Sequence, residues 1–426
     1  MSLDELPGLL PRIASVDGAE ATEAELIDHL TAMERLKSGL AAAQARVTAT
    51  LASTRSRAEA ARGIPAADRC RGLAAEIALA RRESPHRGGR HYGMATALVH
   101  EMPHTQAALA RGDISEFRAQ LIVKETAVLT REHRRMVDAA LAGRLPDMGD
   151  RQAAAQARKI GYRLDPGSAL RRVRGAREDR NVGLRPAPDT MSNLTGFLPV
   201  EQGVACKVAL EKEADQRRAE GDPRTRGQIM ADTLFERVTG LAAADGADVE
   251  IQLVMTDETL FGDDHEAARV AGFGPIPAFL ARDIVRAADR AWIRRLFTTP
   301  DGSSLVAMES ARRIFTGGLR RFLIARDDVC RNAWCDAPIR HLDHVVKVAD
   351  GGKTTADNGQ GLCEACNYAK ETPGWHAEPQ PDGRHQVEIT TPTGHRYRSR
   401  APAPPGFRPD IFSPLEQRLR ELILAA

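Results

Sequence analysis

Between residues 23 and 62, apolar side chains fall at Leu26, Ile27, Leu30, Met33, Leu36 and Leu40, three or four positions apart, with charged residues between them. That is the period a helix needs to collect its apolar side chains on one face. It predicts one long helix, opened by Thr22 as N-cap and stopped by Gly63 and Pro65. The stripe is expected to pack within the same chain, with pairing to a second copy as the alternative. Further helices are expected at 73–82, 91–100, 103–111, 115–129, 131–141 and 150–164, with Asp113 or Ser115 and Thr130 at N-cap positions.

The pattern then changes to alternation. Val182 and Leu184 precede a turn at 188–190, and Leu194, Leu198 and Val200 follow it, which predicts a hairpin over 181–200. Helices resume at 201–218 and 225–240, a buried strand is expected at 249–255, and another helix at 278–291. The stretch 311–326 holds Arg312, Arg313, Arg320, Arg321 and Arg326 among Ile314, Phe315, Leu319, Phe322 and Leu323, with no acidic residue. A second hairpin is expected from strands 386–391 and 395–399, then a proline-rich connector over 401–409 and a closing helix over 415–425.

At 426 residues the chain is long enough for two or three domains. An apolar fraction of 42% and a charged fraction of 28% fit a soluble globular protein, and few aromatics with much alanine and arginine favour helix. Net charge is only +2, so any nucleic-acid surface must be local. Residues 1–20 do not have the basic start and apolar core of a leader, and no run of about 18 apolar residues occurs. The expected location is the cytoplasm, with no membrane partner.

Four of the six cysteines form two close pairs, Cys330-x4-Cys335 and Cys363-x2-Cys366, while Cys70 and Cys206 stand alone and are expected to be small buried hydrophobes. Paired spacing of this kind suits four thiolates around zinc, and a closed four-sulfur site leaves no position for substrate, so this ion would be structural. Between and after the pairs lie residues of a different kind. Asp343 and Asn367 offer hard oxygen donors suited to Mg2+ or Mn2+. His344 is suited to take a proton from a water attacking a phosphate, because the unperturbed pKa of histidine lies near the working pH.

Asp343 and His344 are neighbours, and on a regular strand they would face opposite sides, so a twist or bulge is expected there. Gly351 and Gly352 allow the return loop to turn, and Asn358 is placed to brace it and orient His344, or merely to cap a turn. Lys370, three residues after Asn367, shares its helix face and is a candidate phosphate contact, as are Arg320, Arg321 and Arg326. The plain alternative for these cations is a solvated face. His376, His385 and His395 are expected at the surface.

Asp343-His344, Asn358 and Asn367 in a cysteine frame resemble the HNH, or ββα-metal, nuclease motif in its variant with Asn at the third position. Gly272-Phe-Gly-Pro-Ile-Pro277, Arg326-Asp-Asp-Val-Cys330, Asp357-Asn-Gly-Gln-Gly-Leu-Cys363 and Thr391-Pro-Thr-Gly394 resemble the actinobacterial HNH endonucleases called thirteen-E-twelve repeat proteins, where a helical domain of unknown function precedes the nuclease. The resemblance implies His344 as base, Asp343 and Asn367 as metal ligands, the four cysteines as zinc ligands, and cuts leaving a 5′-phosphate and a 3′-hydroxyl. Many HNH sequences carry Pro or His just after the Asp-His strand, where this chain has Lys347 and Val348.

The expected fold is mainly α with small β elements. It comprises a helical region over 1–300 with a specificity, interaction or self-association role, a basic connecting helix over 301–326, a treble-clef-like zinc-stapled nuclease over 327–375, and a tail over 376–426. The expected activity is metal-dependent hydrolysis of DNA. The alternative is a non-catalytic zinc-dependent nucleic-acid-binding or regulatory protein, in which Asp343 and His344 carry no chemistry.

Overall fold

After a short helix, α1 (Leu9–Ala14), the chain enters α2 (Glu23–Ala61), whose first turn is closed by a reciprocal cap. The Thr22 hydroxyl accepts from the Glu25 backbone N–H, and the Glu25 carboxylate accepts from the Thr22 N–H at 2.8 Å. The structure, a computed structural model, describes residues 8–16, 19, 21–242, 252–262, 264–271, 273–287, 315–381 and 384–406. The expected closing helix, Arg312 and Arg313, and residues 288–291 lie outside them. The fold is mainly α with small sheets.

By contacts the chain divides into two units, Met1–Leu73 with Gly89–Val173, and Ala74–Gly88 with Arg174–Ala426. The first gathers most of α2, α4 (Pro85–His100, after α3, Leu73–Arg81), α5 (Pro103–Arg111), α6 (Glu116–Thr126), α7 (Arg131–Leu141) and α8 (Asp150–Leu164) around one core. α2 does not enter that core through its leucine stripe. It buries Ser38, Ala41, Ala42, Ala45 and Ala49 instead, and Leu26, Leu30 and Leu40 stay exposed. The reason is interaxial distance: helices meet closely where the contact residues are small.

The buried carboxylate of Asp138 on α7 caps α5, accepting from the backbone N–H groups of His104 at 2.7 Å and Thr105 at 2.9 Å. Met102, at the N-cap position, has no side-chain acceptor of its own, so a neighbouring helix supplies one.

In the second unit α9 (Pro166–Glu178) leads, from across the unit boundary, to a two-stranded ribbon of β1 (Asn181–Pro186) and β2 (Ser192–Phe197), the expected first hairpin. α10 (Val200–Ala219) and α11 (Arg226–Thr239) pack together, burying Ala214 and Ile229. β3 (Leu253–Val254), with α12 (Asp257–Phe261) after it, pairs with β4 (Ala268–Val270) and β4 with β5 (Gly274–Ile276), ahead of α13 (Ala278–Ala287). The expected strand over 249–255 is thus described only at its end.

The remainder is α14 (Gly317–Asp327), the hairpin β6 (His341–His344) and β7 (Gly359–Leu362), α15 (Glu364–Lys370), and a sheet of β8 (His376–Gln380), β9 (Gln386–Thr390) and β10 (Arg396–Arg400). β8 was not expected, because His-Ala-Glu-Pro-Gln lacks a strand-forming run. It lies at the sheet edge, where Pro379 costs no ladder bond.

The inner face of this sheet, through Val387 and Ile389, packs with Trp375, Val345 and Ala369, and also with Ala75 and Leu79 of α3. α3 is fastened by Glu76, whose carboxylate accepts from the backbone N–H of Thr393 at 3.1 Å and from its hydroxyl. Gly88 is inside α4 for a packing reason, since a Cβ there would run into the Ala74 carbonyl and the Ala78 side chain. Among the lone cysteines, Cys70 is half-buried and Cys206 is exposed, so the expectation of burial fails for Cys206 on the open surface of α10.

Candidate active site and metal centre

Cys330 and Cys335 flank a tight knuckle, held by Cys330 N–H to Ala337 O at 2.9 Å and Cys335 N–H to Asn332 O at 3.1 Å. Cys363 is the N-cap of α15 and Cys366 lies in its first turn. The four Sγ atoms all lie within 4.8 Å of one another and are buried. Cys335 and Cys363 are 3.8 Å apart, close to the ~3.8 Å edge of a zinc–thiolate tetrahedron with ~2.3 Å bonds. Asn332 donates its amide to Cys366 Sγ at 3.2 Å, a contact that steadies a ligand from outside the tetrahedron. Hydrogen bonds from Cys330, Cys335 and Cys366 hold the Cys363 thiol far below its ordinary pKa, and the same sharing raises that of Cys366. The donor set fits a zinc ion, which would deprotonate all four.

β6 and β7 pair in regular antiparallel register, His341 opposite Leu362, Asp343 opposite Gln360 and His344 opposite Gly359. The expected bulge at Asp343-His344 is absent, and the two side chains take the opposite directions that a regular strand dictates. Asp343 turns to α15, where its carboxylate is ion-paired with Lys370. His344 turns to the other side. Its ring lies 4.6 Å from that of Phe315, and Nε2 is 2.9 Å from the Thr354 hydroxyl. Neither Phe315 nor Thr354 was singled out from sequence, and a threonine ten residues after a histidine carries no signal that could have done so.

Asn358 is buried and shapes the loop between the strands. Its Oδ1 accepts from Val346 N–H at 2.8 Å, and its Nδ2 donates to Val346 O at 3.0 Å and Lys353 O at 2.8 Å. This is more than a turn cap, because it ties both ends of the loop that carries Thr354. Gly351 has φ +90, and a Cβ on Gly352 would fall on the carbonyl of Val346, so the loop requires glycine at both positions.

Asn367 is on α15 one turn before Lys370. Its Oδ1 is buried and has no hydrogen-bond partner among the described residues, an orphaned hard acceptor of the kind a divalent cation satisfies. Lys370 is 8% exposed and donates to His344 O at 2.6 Å as well as to Asp343. It is therefore an internal cation, not the solvated one that the sequence allows.

Arg326 was expected to face phosphate and does not. It is buried, donating to Asp327 Oδ1 at 2.7 Å, Ala356 O at 2.6 Å and Gly359 O at 2.7 Å. Asp327 also accepts from Gly361 N–H at 2.8 Å, so this pair fastens α14 to β7. Arg320 and Arg321 on the same helix are exposed. His385 departs from its expected surface position too. It is half-buried, with Nε2 2.9 Å from Asp357 O, and burial, reinforced by the Arg326 charge, pushes its pKa down to about 4.

A hairpin, a braced loop and a following helix carrying Asp-His, Asn and Asn, stapled by four cysteines, define a ββα nuclease-type module. Comparison with family models agrees: residues 330–372 match the HNH endonuclease model, and residues 16–327 match "Domain of unknown function (DUF222)". The second match spans most of the chain, which therefore belongs to the DUF222 family and carries an HNH endonuclease domain after that region. No curated protein and no solved structure matches the chain. No helix among the described residues is long and apolar enough to cross a membrane.

Proposed function

We propose that the protein is a metal-dependent endonuclease that hydrolyses phosphodiester bonds in DNA, with His344 as general base. The observation that carries this reading is the buried Asn358 bracket, which a plain zinc ribbon does not need and which holds the loop against which His344 rests. The contact between Nε2 and the Thr354 hydroxyl, 2.9 Å, fixes the orientation of the ring that would take a proton from the attacking water.

Asp343 and Asn367 would hold one Mg2+ or Mn2+, and the unpartnered Oδ1 of Asn367 supports that fit. When bound, such an ion supplies positive charge to the phosphorane and to the leaving oxygen. Lys370 pairs with the Asp343 carboxylate and braces the end of β6 through His344 O. Because Asp343 and His344 diverge, the scissile phosphate would lie across the end of β6 with one on each side. The exposed Arg320 and Arg321 are suited to flanking phosphates, and the zinc ion has a structural part only. The cytoplasm is the location this reading favours.

One observation favours the alternative of a non-catalytic zinc-dependent binding protein: Lys370 already satisfies Asp343. The deciding experiment incubates purified zinc-loaded protein with supercoiled plasmid and with single-stranded DNA, in magnesium, manganese or chelator. Nicking that needs the metal and falls about a hundredfold or more in His344→Ala, at unchanged zinc content, is expected. Undiminished cutting by that variant would overturn the mechanism, and binding without cutting would favour the alternative.

A further inference from the structure

The apolar stripe left exposed on α2 has a finer period than amphipathic packing requires. Leu26, Leu30, Met33, Lys37, Leu40, Gln44, Val47 and Leu51 are separated alternately by four and three positions through four heptads. Leu26, Leu30, Met33, Leu40 and Val47 keep between 37 and 63% of their surface in solvent. The residues that α2 buries within its own unit, Ala41, Ala45 and Ala49 among them, lie on a different face. A strict 3.5-residue repeat is the seam of a coiled coil, and its natural complement is another helix with the same repeat.

We propose that two copies of this chain associate through α2, antiparallel, about a two-fold axis level with Ser38 and Gly39. The polar residues in the seam choose both the partner and the direction. In a parallel pair Lys37 would face its own copy, ammonium against ammonium. In the antiparallel pair the layers become Leu26 with Leu51, Leu30 with Val47, Met33 with Gln44, and Lys37 with Leu40, each seam position meeting its opposite kind. The Lys37 stem then covers Leu40 of the second copy while its ammonium stays with Glu34, 2.7 Å away on its own helix.

Every apolar seam residue thus finds an apolar or flexible partner, and no charge is buried alone. Such self-matching across an axis is what an isologous interface demands, and an unrelated partner helix would have no reason to share it. The seam is ~38 Å long and about 10 Å wide on each copy. The pair therefore covers roughly 800 Å2 of facing seam, less than a stable specific interface buries, so weak association of micromolar order is expected.

The test is sedimentation equilibrium of full-length, zinc-loaded protein between about 1 and 100 µM. The mass should rise from 46.3 kDa toward twice that value with concentration. Leu30→Asp, at a position 63% exposed in the single chain, should weaken association at least a hundredfold while far-UV circular dichroism and zinc content stay unchanged. Direction is read by oxidative cross-linking in a Cys206→Ser background. Leu30→Cys with Val47→Cys should cross-link, and Leu30→Cys alone should not. A monomer throughout, a dimer indifferent to Leu30→Asp, or cross-linking by Leu30→Cys alone would each overturn the proposal.

Discussion

His385 is a histidine that the fold keeps neutral. Partial burial disfavours its charged form, and protonation would add a further positive charge beside Arg326 and Arg331, which is why its pKa falls to about 4 from an ordinary 6.5. The folded state therefore binds fewer protons than the unfolded one between those values. Its stabilising contribution is complete above pH 6.5 and is lost as pH falls toward 4, by up to about 3 kcal/mol. His385→Gln keeps an amide donor for Asp357 O but cannot titrate. Urea unfolding followed from pH 7 to 4 should show a steeper loss in the wild type than in this variant, and equal slopes would mean that His385 titrates normally. Asn358→Ala, which removes three hydrogen bonds from a buried loop, should cost about 2–4 kcal/mol and abolish nicking while zinc remains bound.

At the scale of elements, the knuckle has a small buried cluster of its own, in which a bound zinc ion would do the work of a hydrophobic core. The buried cluster around the knuckle consists of Cys330, Cys335, Cys363 and Cys366 with Leu362, and little else. Chelation at neutral pH should melt the knuckle and α15 together, seen as loss of amide protection over residues 330–371, with α5 to α8 unaffected. Asn332→Ala should weaken zinc about tenfold in a competition titration. These residues were legible in the sequence because the chemistry is local: cysteine pairs, Asp-His, Asn and Asn fall within one short segment. What was not legible depended on distant partners. The helical period of α14 puts Arg326 on the face of Leu319, Phe322 and Leu323 and leaves Arg320 and Arg321 off it, but it does not show the carbonyls of Ala356 and Gly359 that satisfy the buried guanidinium there. A helical period shows that α2 has an apolar stripe but not whether its alanines or its leucines meet the core.

At the scale of the whole chain, the DUF222 match and the HNH match meet near residue 327, yet the packing does not divide there. Residues 74–88, deep within the DUF222 match, group with the nuclease, and α3 contributes Ala75 and Leu79 to the cluster that contains Val345, the residue after His344. Leu79 is 1% exposed, so Leu79→Ala should cost about 2–4 kcal/mol through the cavity it leaves. The consequence should appear in the nuclease. Trp375 belongs to the same cluster, so the thermal transition followed by its emission should shift down in the variant. Nicking should then be lost at a lower temperature than in the wild type. A control, Leu109→Ala in the core around α5, removes a side chain of equal size that touches none of the nuclease cluster. If both substitutions lowered the Trp375 transition equally, the chain would be melting as one body and α3 would have no special part. If only Leu79→Ala did, the helix is a component of the nuclease that the N-terminal sequence supplies.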